Sequence, residues 1–187
     1  MTEVYSSNVD VLAILPPTGD DFDFEAIDCL PTGPEVTIVD DFEITLEAGF
    51  PVLEILGDDS KIVFFTNTKL PYVAFHMKTI EKFLSLSLTF VDDIGETRTA
   101  TFSNKRSVVT ADPHSVEIPL KVGEGWQYLT LDLQNTCINA FGTNYASCTE
   151  VAVHGSCRLG KLFFQQSKYA DVQLPTFLRV CEFTVAD

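Results

Sequence analysis

Regular alternation of apolar and polar side chains is the clearest pattern in this chain, and it predicts β-strands. Segment 83–91 alternates most cleanly, with hydroxyl side chains between its apolar ones, which are Leu84, Leu86, Leu88 and Phe90. Successive side chains of a strand point to opposite faces, so the apolar set is expected to face a core. By the same pattern, further core positions are predicted at Leu129, Leu131, Leu133, Val151 and Val153.

Strand-like segments separated by turn residues continue along the chain. They lie at 35–46, 51–56, 61–66, 72–77, 97–102, 115–120, 126–133, 149–155, 160–166 and 178–185. About ten short strands at this spacing predict an all-β jelly-roll sandwich, the class to which carbohydrate-binding modules also belong. Short helices are predicted only at 134–141 and 79–83. Residues 1–34, with several Pro and Gly, are predicted to form an N-terminal arm, and residues 35–187 to form the sandwich domain.

Charge divides the chain into two parts. The net charge is −15, and residues 1–60 contain no Lys or Arg, whereas the later residues are balanced in charge. A charge run of this kind is usually a solvated face, but it also fits an acidic arm that docks on a basic partner, with Asp20, Asp21 and Asp23 as candidate contacts. On either interpretation of the charge run, nucleic acid is a poor ligand, because phosphate binding needs clustered Lys and Arg.

The sequence contains no stretch that approaches the length of a membrane span, and no pattern typical of a signal peptide. Its five cysteines are scattered, without a C-x-x-C pair. This predicts reduced thiols in a cytosolic compartment and no contact with a membrane.

Candidate chemistry is sparse. His154 and Cys157 could suggest zinc or a nucleophile–base pair, but two further ligands are missing nearby and a spacing of three in a strand separates the side chains. The paired Asp residues fall mostly at turns, where Asp is common for backbone reasons. The single Trp126 fits burial at the edge of the core better than an exposed sugar platform. We therefore predict no catalytic residues, metal site or cofactor.

An ordered series of motifs carries a resemblance to a known family. It comprises KLP at 69–71, VDD at 91–93, Arg98, SN at 103–104, GW at 125–126, FGTNY at 141–145, HGSCR at 154–158 and FF at 163–164. The series, from about residue 61 to 183, resembles the family of cilia- and flagella-associated protein twenty. The resemblance implies a β-sandwich like that of carbohydrate-binding modules, in a component of doublet microtubules.

The chain departs from that family where the family is rich in Arg. The family has several arginines after the two aspartates, and this chain keeps one of them, Arg98. Ile138-Asn139 stands where the family has an Arg pair. This predicts a divergent acidic paralogue whose direct contact with tubulin is in doubt. Candidate partner contacts are Arg98, Lys105, Arg106, Asn144, Tyr145, Arg158 and Lys161, together with the three aspartates of the arm.

The resemblance implies a non-enzymatic structural protein of the ciliary or flagellar axoneme, part of the cytoplasmic cytoskeleton. It would join the A- and B-tubules of doublet microtubules at the inner junction. Its partners would be tubulin and other inner-junction proteins. The alternative is a soluble binding protein that resembles a carbohydrate-binding module.

Overall fold

The computed structural model of the chain describes residues 9–17, 26–33, 35–43 and 50–180. In chain order its elements are β1 (Val11–Leu15), β2 (Cys29–Thr32), β3 (Val36–Asp41), β4 (Phe50–Ile55), β5 (Lys61–Thr68), β6 (Tyr72–Asp92), β7 (Thr97–Ser103), β8 (Thr110–Ala111), β9 (Ser115–Pro119), β10 (Gln127–Asp132), α1 (Leu133–Phe141) and β11 (Tyr145–Gln165). Two 3-10 turns follow, Asp171–Gln173 and Thr176–Leu178.

Two strands of 21 residues, β6 and β11, pair antiparallel over almost their whole lengths and connect the two layers of the fold. The first half of β11 and the second half of β6 lie within the first layer, in the order β2-β5-β11-β6-β7-β9-β8. Their other halves form the second layer with β10 beside β6, and with β4 and β1 beside β11. Strand β3 extends this layer beyond β4.

Gly155 lies where β11 passes from one layer to the other. Its φ is +107°, and a Cβ atom built there would overlap the carbonyl oxygen of Phe83 on the paired strand. The pairing register shifts between Gly155 and Cys157. A residue with a side chain would therefore be strained here, both by its backbone conformation and by the close approach of β6.

The inner faces of both layers bury one apolar core, which confirms the all-β sandwich predicted from the alternating pattern. The predicted core residues that are fully buried are Leu84, Leu86, Leu88, Phe90, Leu133, Val151 and Val153. Leu129 and Leu131 are half-buried and pack against the same core from β10.

Three local predictions differ from the structure. Segment 79–83, predicted as a helix, lies within β6, because pairing with β11 at Thr79 and Leu84 holds it extended. Leu133 begins α1 instead of ending a strand, since Asp132 caps the helix there. Residues 178–180 of the strand predicted at 178–185 follow a 3-10 turn, and the remainder of that segment lies outside the described residues.

Two strands of the sandwich come from the range 1–34. β1 pairs antiparallel with the end of β11, and Leu15 is fully buried in the core. β2 pairs with β5 at the edge of the first layer. The described parts of this range thus contribute directly to both layers.

Helix α1 is short and has a clear signal at each end. The Asp132 side chain accepts a hydrogen bond from the Asn135 N–H, and Gly142, with φ +72°, ends the helix in the left-handed conformation. The helix thereby places the FGTNY segment next to the turn after β6. None of the helices in the described part of the chain combines the length and the apolar character that a membrane-spanning helix needs.

Candidate functional site

The outer face of the second layer carries a cluster of four linked ion pairs. At its centre Asp41, the last residue of β3, is 1% exposed. Its Oδ2 atom lies 2.7 Å from Lys78 Nζ and 2.7 Å from Arg158 Nη1. Glu43 extends the cluster to Lys78 at 2.8 Å, and Glu54 extends it to Arg158 at 2.6 Å. We call these five residues the ion network.

Strand pairing explains why these residues meet. Arg158 on β11 is directly opposite Glu54 on β4 and opposite Lys78 on β6. Directly opposed residues of antiparallel strands lie on the same face, so the three side chains form a row across the sheet. Asp41 reaches this row from the end of β3.

Asp41 is ionised under ordinary conditions. Burial alone would raise the pKa of its carboxyl group, but hydrogen bonds from Lys78 and Arg158 outweigh that effect and hold the pKa well below its ordinary value. Two cations thus face three carboxylates in the network, and each cation contacts two of them.

Trp126 lies beside the ion network, in the loop before β10. Its indole Nε1–H donates to Asp41 Oδ1 at 3.3 Å, and its ring packs on His76 with centroids 4.7 Å apart. A Cβ atom built at Gly160 would be 3.3 Å from the indole ring. Trp126 is half-buried, but it packs on the outer face against His76 and Lys78, whereas the sequence pattern predicted it at the edge of the core.

A second polar cluster fixes the FGTNY segment against the turn after β6. The buried Asp92 accepts from Arg98 Nε at 2.9 Å and from Thr143 Oγ1 at 3.0 Å. Arg98 also donates to the carbonyl oxygen of Pro113 and lies 5.1 Å from the ring of Phe141. Because Arg98 is 8% exposed, its guanidinium holds its own chain together and offers little surface to a partner.

Asn144 and Tyr145 also bind within the chain. Asn144 donates to both carboxylate oxygens of Asp93, at 3.1 Å from its backbone N–H and 2.8 Å from its side chain. The Tyr145 hydroxyl lies 2.8 Å from the carbonyl oxygen of Thr68. The FGTNY motif therefore stabilises the chain's own structure at Asp93 and Thr68, although Asn144 remains exposed.

The remaining candidate contacts are dispersed. Lys161, predicted to be on the surface, is 5% exposed, and its ammonium group donates to the Phe177 carbonyl oxygen at 2.8 Å. Lys105 lies over the ring of Phe83 at 3.6 Å, and Arg106 forms an exposed ion pair with Glu117. The three aspartates of the arm, Asp20, Asp21 and Asp23, lie outside the described residues.

The structure separates His154 from Cys157. The imidazole Nε2 of His154 is 2.5 Å from the carbonyl oxygen of Asp58, whereas Cys157 is fully buried in the core. Burial raises the pKa of the Cys157 thiol to about 12. The described residues contain no group of three or more His, Cys, Asp or Glu side chains placed to hold a metal ion.

Sequence reasoning missed the ion network. Asp40 and Asp41 are a pair of the kind that is common at turns, and Lys78 lies between the strand predicted at 72–77 and the helix predicted at 79–83, so neither gave a signal. The network could be found only from the row of opposed residues on β4, β11 and β6, and that row is known only once the strand pairing is known.

Comparison with known proteins places this fold in a family. A family model described as the CFA20 domain matches residues 62–182. Proteins named Cilia- and flagella-associated protein 20 from Paramecium tetraurelia and Chlamydomonas reinhardtii are each 28% identical over 133 residues, covering 66% of this chain and 70% of theirs. The Caenorhabditis elegans protein of that name is 27% identical, and the match covers 66% of each of the two chains.

Two solved structures are distantly similar to this chain. An exo-beta-agarase matches with a TM-score of 0.42 and 8% identity, over 88% of this chain and 25% of its own. TmCBM61, solved in complex with beta-1,4-galactotriose, matches with a TM-score of 0.32 and 15% identity, over 85% and 84% of the two chains. The family match runs from β5 through β11 and confirms the resemblance seen in the motif series. The chain belongs to the CFA20 domain family.

Proposed function

We propose that this protein is a structural component of the cilium or flagellum that binds along doublet microtubules at the inner junction between the A- and B-tubules. The observation that carries the proposal is the family match over residues 62–182, together with relatives named as cilia- and flagella-associated proteins. Its contribution would be shape, since a rigid sandwich at a regular spacing can join two surfaces through many weak contacts.

The architecture suits such a role. Strands β6 and β11 run through both layers, so a load applied to one layer passes through continuous backbone to the other. The ion network fastens β3 and β4 to the same pair of strands. A body built this way would keep its outer surfaces in fixed relation to each other.

We further propose that the protein is not an enzyme. The two side chains that could suggest nucleophilic chemistry, His154 and Cys157, lie on different sides of β11, and the raised pKa of the buried thiol disfavours the reactive thiolate. The other polar clusters described above are engaged in holding strands and turns together.

Binding to bare tubulin should be weak, and other junction proteins should be required. Microtubules are acidic on the outside, so a family-like contact would use exposed Arg and Lys. Here Arg98 and Lys161 are buried, and Arg158 is held by two carboxylates. These placements support binding through partner proteins more than through tubulin itself.

Co-sedimentation tests this dependence. We expect little of the purified protein to pellet with purified microtubules, and much more to pellet when axonemal extract is added. Tight, salt-resistant binding to bare microtubules would contradict the partner requirement. A lack of binding to microtubules, extract and isolated doublets alike would count against the structural assignment and favour a sugar-binding role.

A further inference from the structure

Strand β3 forms the outer edge of the second layer. Among the described strands it pairs only with β4. In the register of that pairing, the Leu56 N–H donates to the Glu35 carbonyl oxygen at 3.0 Å. Hydrogen-bonded and non-hydrogen-bonded pairs alternate in antiparallel strands, so the backbone N–H and C=O groups of Val36, Ile38 and Asp40 point away from β4. This edge can therefore hydrogen-bond to a further strand.

β3 lacks the features that usually prevent strand pairing at an open edge, which are Pro, Lys and β-bulges. The first layer has such a feature on β2, because Pro31 lies at an outward-facing position and has no N–H. β3 contains no Pro or Lys, and its pairing with β4 has no register shift. Asp41 at the end of β3 is held by Lys78 and Arg158. Because the strand is already fixed in place, binding there requires little further ordering.

The surroundings of the β3 edge are acidic. Glu35 and Asp40 are exposed, and exposed Asp59 belongs to the turn beside the start of β3. A Cβ atom built at Gly33 would be 2.8 Å from the Asp59 carbonyl oxygen, which shows how closely this turn approaches. The first Lys or Arg of the chain is Lys61, at the start of β5. These charges favour a cationic ligand and disfavour an acidic one.

Ile38 adds an apolar contact to the same edge. It lies on the same face of β3 as Val36, which packs against the core, and it is 42% exposed. An apolar side chain of an added strand would cover Ile38 and extend the core. A second copy of this chain is a poor occupant, because two paired β3 strands would bring the acidic residues of both copies together, and like charges on adjacent strands are destabilising. A different, basic chain fits the edge better.

We propose that the outer edge of β3 is the docking site for an extended basic segment of a partner protein on the doublet, which adds to the second layer as a further strand. Backbone hydrogen bonds with Val36, Ile38 and Asp40 would supply affinity. Lys or Arg side chains next to Glu35 and Asp40 would supply specificity. The inference rests on the proposed function, because it names how the protein would be held on the doublet.

The test uses the purified full chain and doublet microtubules isolated from cilia that lack this protein. Co-sedimentation at low and high salt compares the wild type with two variants. Ile38→Pro removes an outward-facing N–H from β3, a change that an edge strand tolerates. Glu35→Lys reverses an exposed charge beside the same edge. Circular dichroism confirms that each variant is folded.

Each variant has a matched control. Thr130→Pro removes an outward-facing N–H from β10, at the opposite edge of the same layer, since the hydrogen bond from the Leu133 N–H to the Pro71 carbonyl oxygen sets the register there. Glu96→Lys reverses an exposed charge in the turn after β6. The controls therefore make the same chemical changes away from β3.

We expect Ile38→Pro and Glu35→Lys to weaken binding at least about tenfold at low salt, and both controls to bind like the wild type. The effect of Glu35→Lys should shrink at high salt, whereas that of Ile38→Pro should persist. If both β3 variants bind like the wild type, or the controls lose as much, the docking site is wrong while the proposed function stands. A loss with Ile38→Pro alone would contradict the basic chemistry and overturn the proposal. If the wild type does not bind the doublets, the proposed function itself fails.

Hydrogen exchange of the wild type separates strand addition from contact elsewhere, and it decides the question even if Ile38→Pro does not fold. Exchange in segment 36–41 should slow on the doublets, because the outward-facing N–H groups of Ile38 and Asp40 gain acceptors. Unchanged exchange there would overturn the proposal. If the wild type instead dimerises in sedimentation and Ile38→Pro does not, the edge belongs to a second copy and the proposal is also wrong.

Discussion

Asp41 and Arg158 lie 117 positions apart in the chain, yet their side chains form an ion pair of 2.7 Å on the outer face of the second layer. The same carboxylate pairs with Lys78. Asp41 belongs to the acidic first third of the chain, and the two cations belong to the neutral remainder. The two electrostatic parts of the sequence are therefore joined by direct contacts within one fold.

Removing the Asp41 charge should destabilise the protein strongly. Asp41→Asn would leave Lys78 and Arg158 close together with less negative charge between them, and losing one partner of a buried pair costs about 3 kcal/mol of unfolding free energy. Glu117→Gln is the control, because its pair with Arg106 is exposed and should cost at most about 1 kcal/mol. Urea unfolding at neutral pH measures both, and equal losses would show that the network is not a stabilising element.

His76 should make stability fall as the pH drops below the neutral range. Burial and the nearby Lys161 charge lower the pKa of His76 from 6.5 to about 4, and Asp171 opposes this only in part. The unfolded chain therefore takes up a proton before the folded chain does, so stability present above pH 6.5 is lost progressively towards pH 4.

The variant His76→Gln should have a flatter profile than the wild type over this window. Urea midpoints between pH 7 and pH 5 measure the difference, above the range in which most carboxylates titrate. His114→Gln, which removes an exposed imidazole, is the control, and His76→Gln should have the flatter profile of the two variants. A wild-type slope retained in His76→Gln would mean that another group is responsible.

Gly155 should tolerate no side chain. Gly155→Ala adds a Cβ atom that would overlap the Phe83 carbonyl oxygen, in addition to the strain of a positive φ. Gly95 also has a positive φ, but nothing lies within 4 Å of a Cβ atom there, so Gly95→Ala isolates the strain of about 1–2 kcal/mol. Thermal unfolding should show a clearly larger loss for Gly155→Ala, and similar losses would contradict the close approach.

A pair of leucines tests whether β1 is part of the sandwich. Leu15 is fully buried in the core, whereas Leu12 of the same strand is 39% exposed. Leu15→Asp should abolish folded protein, because an unpaired charge would be buried, and Leu12→Asp should be mild. Stable, folded Leu15→Asp protein would instead support the hypothesis that residues 1–34 form an arm separate from the body.

Much of the fold could be predicted from local patterns. Segment 83–91 has only one register that buries its leucines, and the structure uses it. Residues 79–83 were misread because a short helical pattern is a weak signal, and pairing along β11 overrides it. Leu133 shows a related limit, since apolar spacing predicts burial correctly but cannot distinguish the last residue of a strand from the first of a capped helix.

The contacts of the candidate site were beyond local patterns. Arg158 was correctly singled out, but its partners Asp41 and Glu54 come from distant strands. Asn144 and Tyr145 were singled out through their motif, yet both bind within the chain. Asn144 donates to Asp93 in the turn after β6, and Tyr145 donates to the Thr68 carbonyl oxygen. A motif in the sequence identifies residues that matter, but it does not distinguish a binding contact from a structural one.

Tagging the protein at its own locus in a ciliated cell, followed by electron tomography of axonemes with and without it, tests the central claim most directly. We expect the tag along the doublets at a regular axial spacing, and a density at the inner junction that disappears when the gene is deleted. A tagged, functional protein that is absent from cilia, or axonemes whose inner junction is unchanged by the deletion, would contradict the claim.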